Sequence, residues 1–483
     1  RSSDLTLEEV KDLLLNEIKK LRAGEFDEKM LQANINNFKL YELQSMESNE
    51  GRADIFVNSF INGTNWEDEV TAIDRMAKLT KEDIVAFADK YLKEDNYAVV
   101  YKKQGKDPNE KKMTKPEITP IVSNRDVASP FLTSIQENAV KPIEPVFLDF
   151  KKDMSQLTAK SDIPVLYKQN TTNDLFQLIY VFDMGNNNDK ALGTAFDYLE
   201  YLGTSDMTPE ELKSEFYRLA CTFYVSPGNE RTYVVLSGLN ENMPAAMQLF
   251  EKLLADAQVN KEAYNNLVGD ILKARADAKL NQGQNFSRLM NYAMYGPKSP
   301  ATNLLTEAEL ASMNPQELVD RIHNQNNYKH RILYYGPSSS KDLLATIEQY
   351  HQVPATLKDI PAGNEYSYLE TPATKVLVAP YEAKQIYMAQ ISNLDKKYDP
   401  AIEPTRELYN EYFGGGMNSI VFQEMRETRG LAYSAWARIM PPSYLKYPYT
   451  IRTQIATQND KMIDAVNTFN DIINNMPDRK SVV

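Results

Sequence analysis

The sequence predicts an α+β fold in which one sheet-with-helices unit is used more than once along 483 residues. Two observations carry this. Short apolar runs with strand periodicity are interleaved with long amphipathic segments of helical periodicity. The order of elements also recurs: Leu79-Thr80-Lys81-Glu82-Asp83-Ile84-Val85 leads into Tyr97-Ala98-Val99-Val100-Tyr101, and Met313-Asn314-Pro315-Gln316-Glu317-Leu318-Val319 leads at the same distance into Arg331-Ile332-Leu333-Tyr334-Tyr335. Matching helix starts, Phe26-Asp27-Glu28 and Val259-Asn260-Lys261, lie upstream of each copy at nearly the same offset. A composition of 42% hydrophobic and 25% charged residues is that of a globular protein with several cores.

Along the chain, residues 4–23 read as an amphipathic helix with Val10, Leu13, Leu14, Ile18 and Leu21 on one face. The preceding Ser3-Asp4-Leu5-Thr6 has the chemistry of a helix cap. A chain that opens on a capped helix, starts at Arg1 and shows no signal peptide is expected to be a piece of a longer protein. A long helix from Asp27 and another around 80–92 follow, and 97–101 reads as a strand. Between Lys103 and Pro145 lysines cluster at 102, 103, 106, 111, 112 and 115, with prolines at 108, 116, 120, 130, 142 and 145; this reads as a surface linker. Strands are then expected at 165–168 and 175–183, helices around 190–202 and 209–219, and strands at 222–226 and 232–239 on either side of Pro227-Gly228. Helices are expected at 245–257 and 261–280. A third copy starts near Lys375, where Tyr412-Phe413-Gly414 takes the place of Tyr201-Leu202-Gly203, 449–455 that of 233–239, and 461–474 that of 245–257. The first copy lacks its beginning and the last stops at Val483, which again points to a fragment.

Charge and composition exclude several classes. A net charge of −13 opposes binding to nucleic-acid phosphates, though it tolerates basic peptides. No run of about 18 apolar residues is present, so no membrane-spanning helix is expected. Cys221 is the one cysteine, so there is neither a disulfide framework nor a thiolate metal cluster.

The three histidines, His323, His330 and His351, have no carboxylate at metal-ligand spacing, and neither H-E-x-x-H nor H-x-x-E-H occurs. They read as surface residues without a role. The densest chemistry lies in Tyr412-Phe413-Gly414-Gly415-Gly416-Met417 and the charged segment through Tyr433. Gly414, Gly415 and Gly416 are either a plain helix stop and turn or a place where another backbone comes very close. Arg426 and Tyr433 are seven residues apart. On a continuous helix both would project from one face, and Gly430 stands where the helix would be interrupted. Together a guanidinium and a phenol can donate hydrogen bonds to a peptide carbonyl or to an oxyanion. The plainer alternative is an exposed arginine in salt bridges with Glu424 and Glu427, beside a core tyrosine.

The stretch from Tyr412 to Ser434, the linker phrases at 115–120, 124–126 and 145–150, and the run at 167–176 together resemble the insulinase/pitrilysin metallopeptidases, in the C-terminal part of a single-chain bacterial member. The resemblance implies sheet-with-helices lobes of the insulinase/mitochondrial processing peptidase type, whose halves enclose a chamber for short unfolded peptides. Residues 1–102 would end the second domain, 103–150 link the halves, 151–355 form the third domain and 356–483 an incomplete fourth. Asp197-Tyr198-Leu199-Glu200-Tyr201 resembles the family's zinc helix with both histidines replaced, by Asp197 and Tyr201. Glu200 would hold the general-base position, and without a metal it reads as a remnant or a structural hydrogen bonder. Arg426 and Tyr433 match the pair that reaches the substrate from the C-terminal half, and Gly414–Gly416 would lie against substrate. The implied function is the C-terminal portion of a zinc endopeptidase, inactive alone. Zinc is expected in the parent protein and none in this chain. Peptide substrate and the N-terminal catalytic half are the implied partners, and an exported location such as the bacterial periplasm is favoured. A non-catalytic scaffold or partner subunit that binds peptide or protein is the alternative, and an unrelated chaperone-like binding protein a more distant one.

Overall fold

The computed structural model describes residues 5–103, 105 and 128–476. It divides into two compact units: Arg1–Gln156 with Tyr217–Ala220, and Leu157–Phe216 with Cys221–Val483.

The first unit is helical. Its first helix, Leu7–Arg22, starts at a capping box in which Thr6 and Glu9 satisfy each other's backbone N–H groups. Helices Lys29–Ser45, Asn49–Asn62 and Lys81–Tyr91 follow, the last opened by a second such box between Thr80 and Asp83. Arg22 reaches Asp89 at 2.7 Å and ties the first helix to the last. Residues 97–101 do not form the expected strand. A strand needs a neighbouring backbone to satisfy its N–H and C=O groups, and this segment has no ladder partner among the described residues. It runs extended beside Leu7–Arg22, the two lining an apolar cavity of about 440 Å³, with Val100 left 92% exposed. Within the expected linker, 106–127 lie outside the described residues; Pro130–Gln136 forms a short helix capped by Ser129.

The second unit holds two sheets. Strands β1 (Ser155–Ala159), β2 (Ile163–Gln169), β3 (Leu175–Phe182), β4 (Cys221–Pro227), β5 (Thr232–Leu239) and β6 (Arg331–Gly336) make a six-stranded mixed sheet in the order β1-β2-β6-β3-β5-β4. Strands β2 and β6 are parallel, which demands the long helical crossover between them. The central strand β3 pairs antiparallel with both β5 and β6. β4 and β5 meet in a hairpin closed by the Gly228 N–H on the Arg231 carbonyl at 2.7 Å. Cys221 is buried at the start of the edge strand β4, and burial pushes its thiol up to about 12. Flanking helices include Leu192–Leu199, Met243–Asp256, Gln316–Asn324 and Ser340–Tyr350. The first three correspond to copies read from the sequence, with ends shifted by a few residues.

The second sheet comprises β7 (Gln385–Lys397), β8 (Ser434–Met440) and β9 (Pro448–Gln458), antiparallel in the order β7-β9-β8. Phe413, Ile420, Val421, Met425, Ile455 and Phe469 centre its core. Helix Met462–Asn474 follows β9 as Met243–Asp256 follows β5, the correspondence that the repeat implied.

The histidines correct the sequence reading. His351 and His330 are 0% and 7% exposed, and neither lies on the surface; His323 is half-buried against the Ala257 carbonyl. The carboxylate absent at local spacing arrives from Met243–Asp256: Glu251 Oε1 lies 2.6 Å from His351 Nδ1. His351 Nε2 faces His330 Nε2 at 2.9 Å, and His330 Nδ1 lies 2.7 Å from the Tyr328 carbonyl oxygen. A carbonyl only accepts, so His330 carries its proton on Nδ1 and receives one from His351 at Nε2. Glu251 also accepts from Tyr180 Oη (2.9 Å), Asn326 Nδ2 (3.0 Å) and the Gln352 backbone N–H (3.1 Å). Burial, then the neighbouring His351, pushes His330 down to about 4. Sequence spacing was silent here because the partners are about a hundred residues apart (|i−j| = 100).

Candidate functional site

The site is built on the loops and helices leading into β8. Helix Glu403–Asn410 is anchored by Arg406, which grips Glu403 at 2.7 Å and holds its carboxyl below the usual range. Asn410 closes the helix on β8 by pairing its side-chain amide with both groups of Ile439, at 2.8 and 2.9 Å. The helix then widens into a π turn over Glu411–Gly415. The glycines that follow serve close approach. A Cβ on Gly414 would lie 2.3 Å from the Ala437 carbonyl oxygen, so the helix end rests directly on the backbone of β8. Gly415 and Gly416 lie against the Glu411 carboxylate, and the Gly415 carbonyl accepts from Arg438 at 3.0 Å.

A second helical stretch starts at Ser419, whose hydroxyl accepts from the Phe422 N–H, and continues from Ile420–Phe422 into another π turn over Gln423–Thr428. Widened turns of this kind concentrate at functional sites. Met425 is buried in the core, and its carbonyl takes the N–H groups of Leu431 (2.8 Å) and Ala432 (3.3 Å). The reversal needs a left-handed residue, supplied by Gly430 at φ +55°. The Lys461 ammonium holds the Gly430 carbonyl at 3.0 Å, and the Thr457 hydroxyl holds that of Leu431. Tyr433 N–H then joins the Ala456 carbonyl at 3.1 Å, at the entrance to β8.

This return brings Arg426 and Tyr433 together. The Arg426 guanidinium carbon lies 5.2 Å from the centre of the Tyr433 ring. The helix is interrupted before Gly430, as expected, and the chain then doubles back into β8. Tyr433 is 73% exposed rather than a core residue. Glu424 pairs with Arg429 at 3.7 Å, so of the two acids read as partners of Arg426 only Glu427 stands near it, 3.6 Å from Nε. Sequence reading missed Phe422, whose ring centre is 5.0 Å from the same guanidinium. An aromatic residue four before the arginine was the available signal.

The expected remnant of a zinc helix is Leu192–Leu199, with Glu200 at its end. Asp197 and Glu200 point outward, and Tyr201 is exposed. Partial desolvation and then the charge of Glu200 raise the carboxyl of Asp197. What fixes the helix is Tyr198, buried, with its hydroxyl donating to the Asn260 carbonyl and accepting from the Asn260 N–H at 2.8 Å. Among the described residues no three His, Cys, Asp or Glu side chains converge as metal ligands. Two exposed carboxylates and a phenol, with no imidazole, do not fit a zinc ion.

Residues 331–479, which contain the whole Arg426–Tyr433 geometry, match the family model of the peptidase M16 inactive domain. Over that segment the chain belongs to the insulinase/pitrilysin (M16) family. It carries that family's non-catalytic C-terminal domain. It is 23% identical over 250 residues to the uncharacterized zinc protease YmxG of Bacillus subtilis, covering 50% of this chain and 58% of that protein. An uncharacterized zinc protease of Rickettsia felis is 21% identical over 263 residues, covering 52% and 60%. The chain thus spans less than two thirds of the length of these curated relatives. Among solved structures, the periplasmic protease PqqL of Escherichia coli superposes over 98% of this chain and 52% of its own, with TM-score 0.56 and 14% identity. The M16 inactive domain from Pseudomonas fluorescens superposes over 68% of this chain and 81% of its own, with TM-score 0.52 and 17% identity. Likeness at that identity shows the M16 fold: mixed sheets with flanking helices.

Proposed function

We propose that this chain is the C-terminal portion of a zinc-dependent endopeptidase, and that Arg426 and Tyr433 hydrogen-bond the substrate carbonyl as negative charge builds on its oxygen. The observation that carries this reading is the approach of the two side chains, the Arg426 guanidinium carbon 5.2 Å from the Tyr433 ring centre, with Tyr433 open to solvent. A guanidinium that packs on a ring keeps its N–H donors available. A phenol beside it adds one more donor. Donors fixed before the reaction lower the barrier without reorganising during it.

In this reading the metal belongs to a separate catalytic half, since the residues here do not fit one. Peptide and that half are the partners. Gly414 lets the helix end settle on β8, and Gly415 and Gly416 leave a stretch of backbone without side chains beside the path of the peptide. An exported location fits the reading, as for the periplasmic relative from Escherichia coli.

In the protein assembled with its zinc-bearing half, Arg426→Ala or Tyr433→Phe lowers kcat/KM by roughly 10²-fold, the loss expected for one oxyanion donor. Peptide cleavage at the parental rate by both variants would refute the assigned role. It would leave the alternative, a non-catalytic scaffold that holds peptide or protein.

A further inference from the structure

We propose that Phe422 is a positioning residue for Arg426: its ring and that of Tyr433 flank the guanidinium and limit where it can swing. This rests on the reading of Arg426 given above.

An arginine on a half-exposed helix end swings through many rotamers, and a donor that must stay aimed at one point has to lose that freedom first. Here the guanidinium carbon lies 5.0 Å from the Phe422 ring centre and 5.2 Å from that of Tyr433, both within cation–π range. Both residues are held through their backbones. Phe422 follows the buried Val421, and its N–H bonds the Ser419 hydroxyl. Tyr433 is tied to Ala456 at the mouth of β8. The remaining neighbour, Glu427, stands 3.6 Å from Nε, an ion-pair contact too long for a hydrogen bond. Two aromatic contacts and one loose ion pair therefore hold the guanidinium, and among the described residues no carboxylate grips it at hydrogen-bond distance. A close bidentate carboxylate would consume the donors that a peptide carbonyl needs.

The test has two arms. In the 483-residue chain alone, with arginine side chains labelled, Phe422→Leu removes the ring and keeps an apolar side chain. The Nε–H order parameter of Arg426 is expected to fall from near the rigid value of about 0.85 to below about 0.6. Phe422→Trp, which keeps an aromatic face, retains it. If Phe422→Leu fails to fold, Phe422→Met is the second variant. In the protein assembled with its zinc-bearing half, Phe422→Leu is expected to lower kcat about fivefold with KM unchanged, and Phe422→Trp to restore it. In the Arg426→Ala background the same change is expected to cost nothing further, because a residue acting only through Arg426 has nothing left to position.

An unchanged order parameter in Phe422→Leu overturns the proposal, as does a full additional loss in the Arg426→Ala background. If Arg426→Ala itself cleaves at the parental rate, the catalytic reading fails, while the order parameter still decides whether Phe422 orients the guanidinium.

Discussion

Gly414 shows what the first glycine of the turn does. Its missing Cβ is the space occupied by the Ala437 backbone, at 2.3 Å from the carbonyl oxygen. Backbone cannot yield as a flexible side chain can, so Gly414→Ala is expected to destabilise the packing on the three-stranded sheet by about 1–3 kcal/mol, read as a lower urea midpoint. Gly430→Ala acts differently: nothing lies within reach of its Cβ, and its penalty is the left-handed φ of +55°, roughly 1 kcal/mol. At this scale much of the site was legible. The pairing of Arg426 with Tyr433 followed from the family resemblance; spacing alone left open an exposed arginine in salt bridges beside a core tyrosine. The stop at Gly430 was anticipated too. The π turns were not legible, because they arise when Met425 and Phe413 seat in a core built by β8 and β9, and no local propensity records that.

Among the elements, strands in the six-stranded sheet were the easiest to read, since β3 and β5 carry apolar runs bounded by turn residues. Residues 97–101 carry the same pattern without a ladder partner among the described residues, so periodicity alone misled. The buried histidines were illegible for the opposite reason. Their partner Glu251 belongs to another helix, and only packing joins them. The network makes two predictions. Glu251→Ala strands Tyr180, Asn326 and His351 and should cost roughly 3–5 kcal/mol in chemical denaturation. His330 is held down to about 4 against an ordinary 6.5, so below 6.5 the unfolded chain takes up a proton that the folded one resists. Its contribution is complete above about pH 6.5 and lost progressively down to about pH 4, amounting to about 3 kcal/mol. The titratable groups facing it are His351 directly and, through His351, Glu251 and Tyr180. His330→Asn should flatten unfolding free energy against pH in that window; an unaltered slope would assign the acid sensitivity elsewhere.

For the whole molecule, the sheet repeat is the feature that sequence reading conveyed best, because each copy has to bury its own helices against its own strands. Sequence reading expected the last copy to be the incomplete one; among the described residues its sheet has three strands and the other six. The proposed division of labour has a direct consequence for the intact chain. Purified alone and dialysed against micromolar zinc, it should retain no stoichiometric metal by elemental analysis and hydrolyse no peptide. One tightly held zinc per chain would overturn the reading of Asp197, Glu200 and Tyr201.

Cys221 turns the six-stranded sheet into its own clock. The chain has a single sulfhydryl, 1% exposed in the edge strand and pushed up to about 12, so a thiol reagent added to the native protein meets almost no reactive sulfur. Each labelling event therefore dates one opening of the β4–β5 hairpin, and the rate of adduct formation by mass spectrometry measures the local breathing of this sheet with no probe introduced.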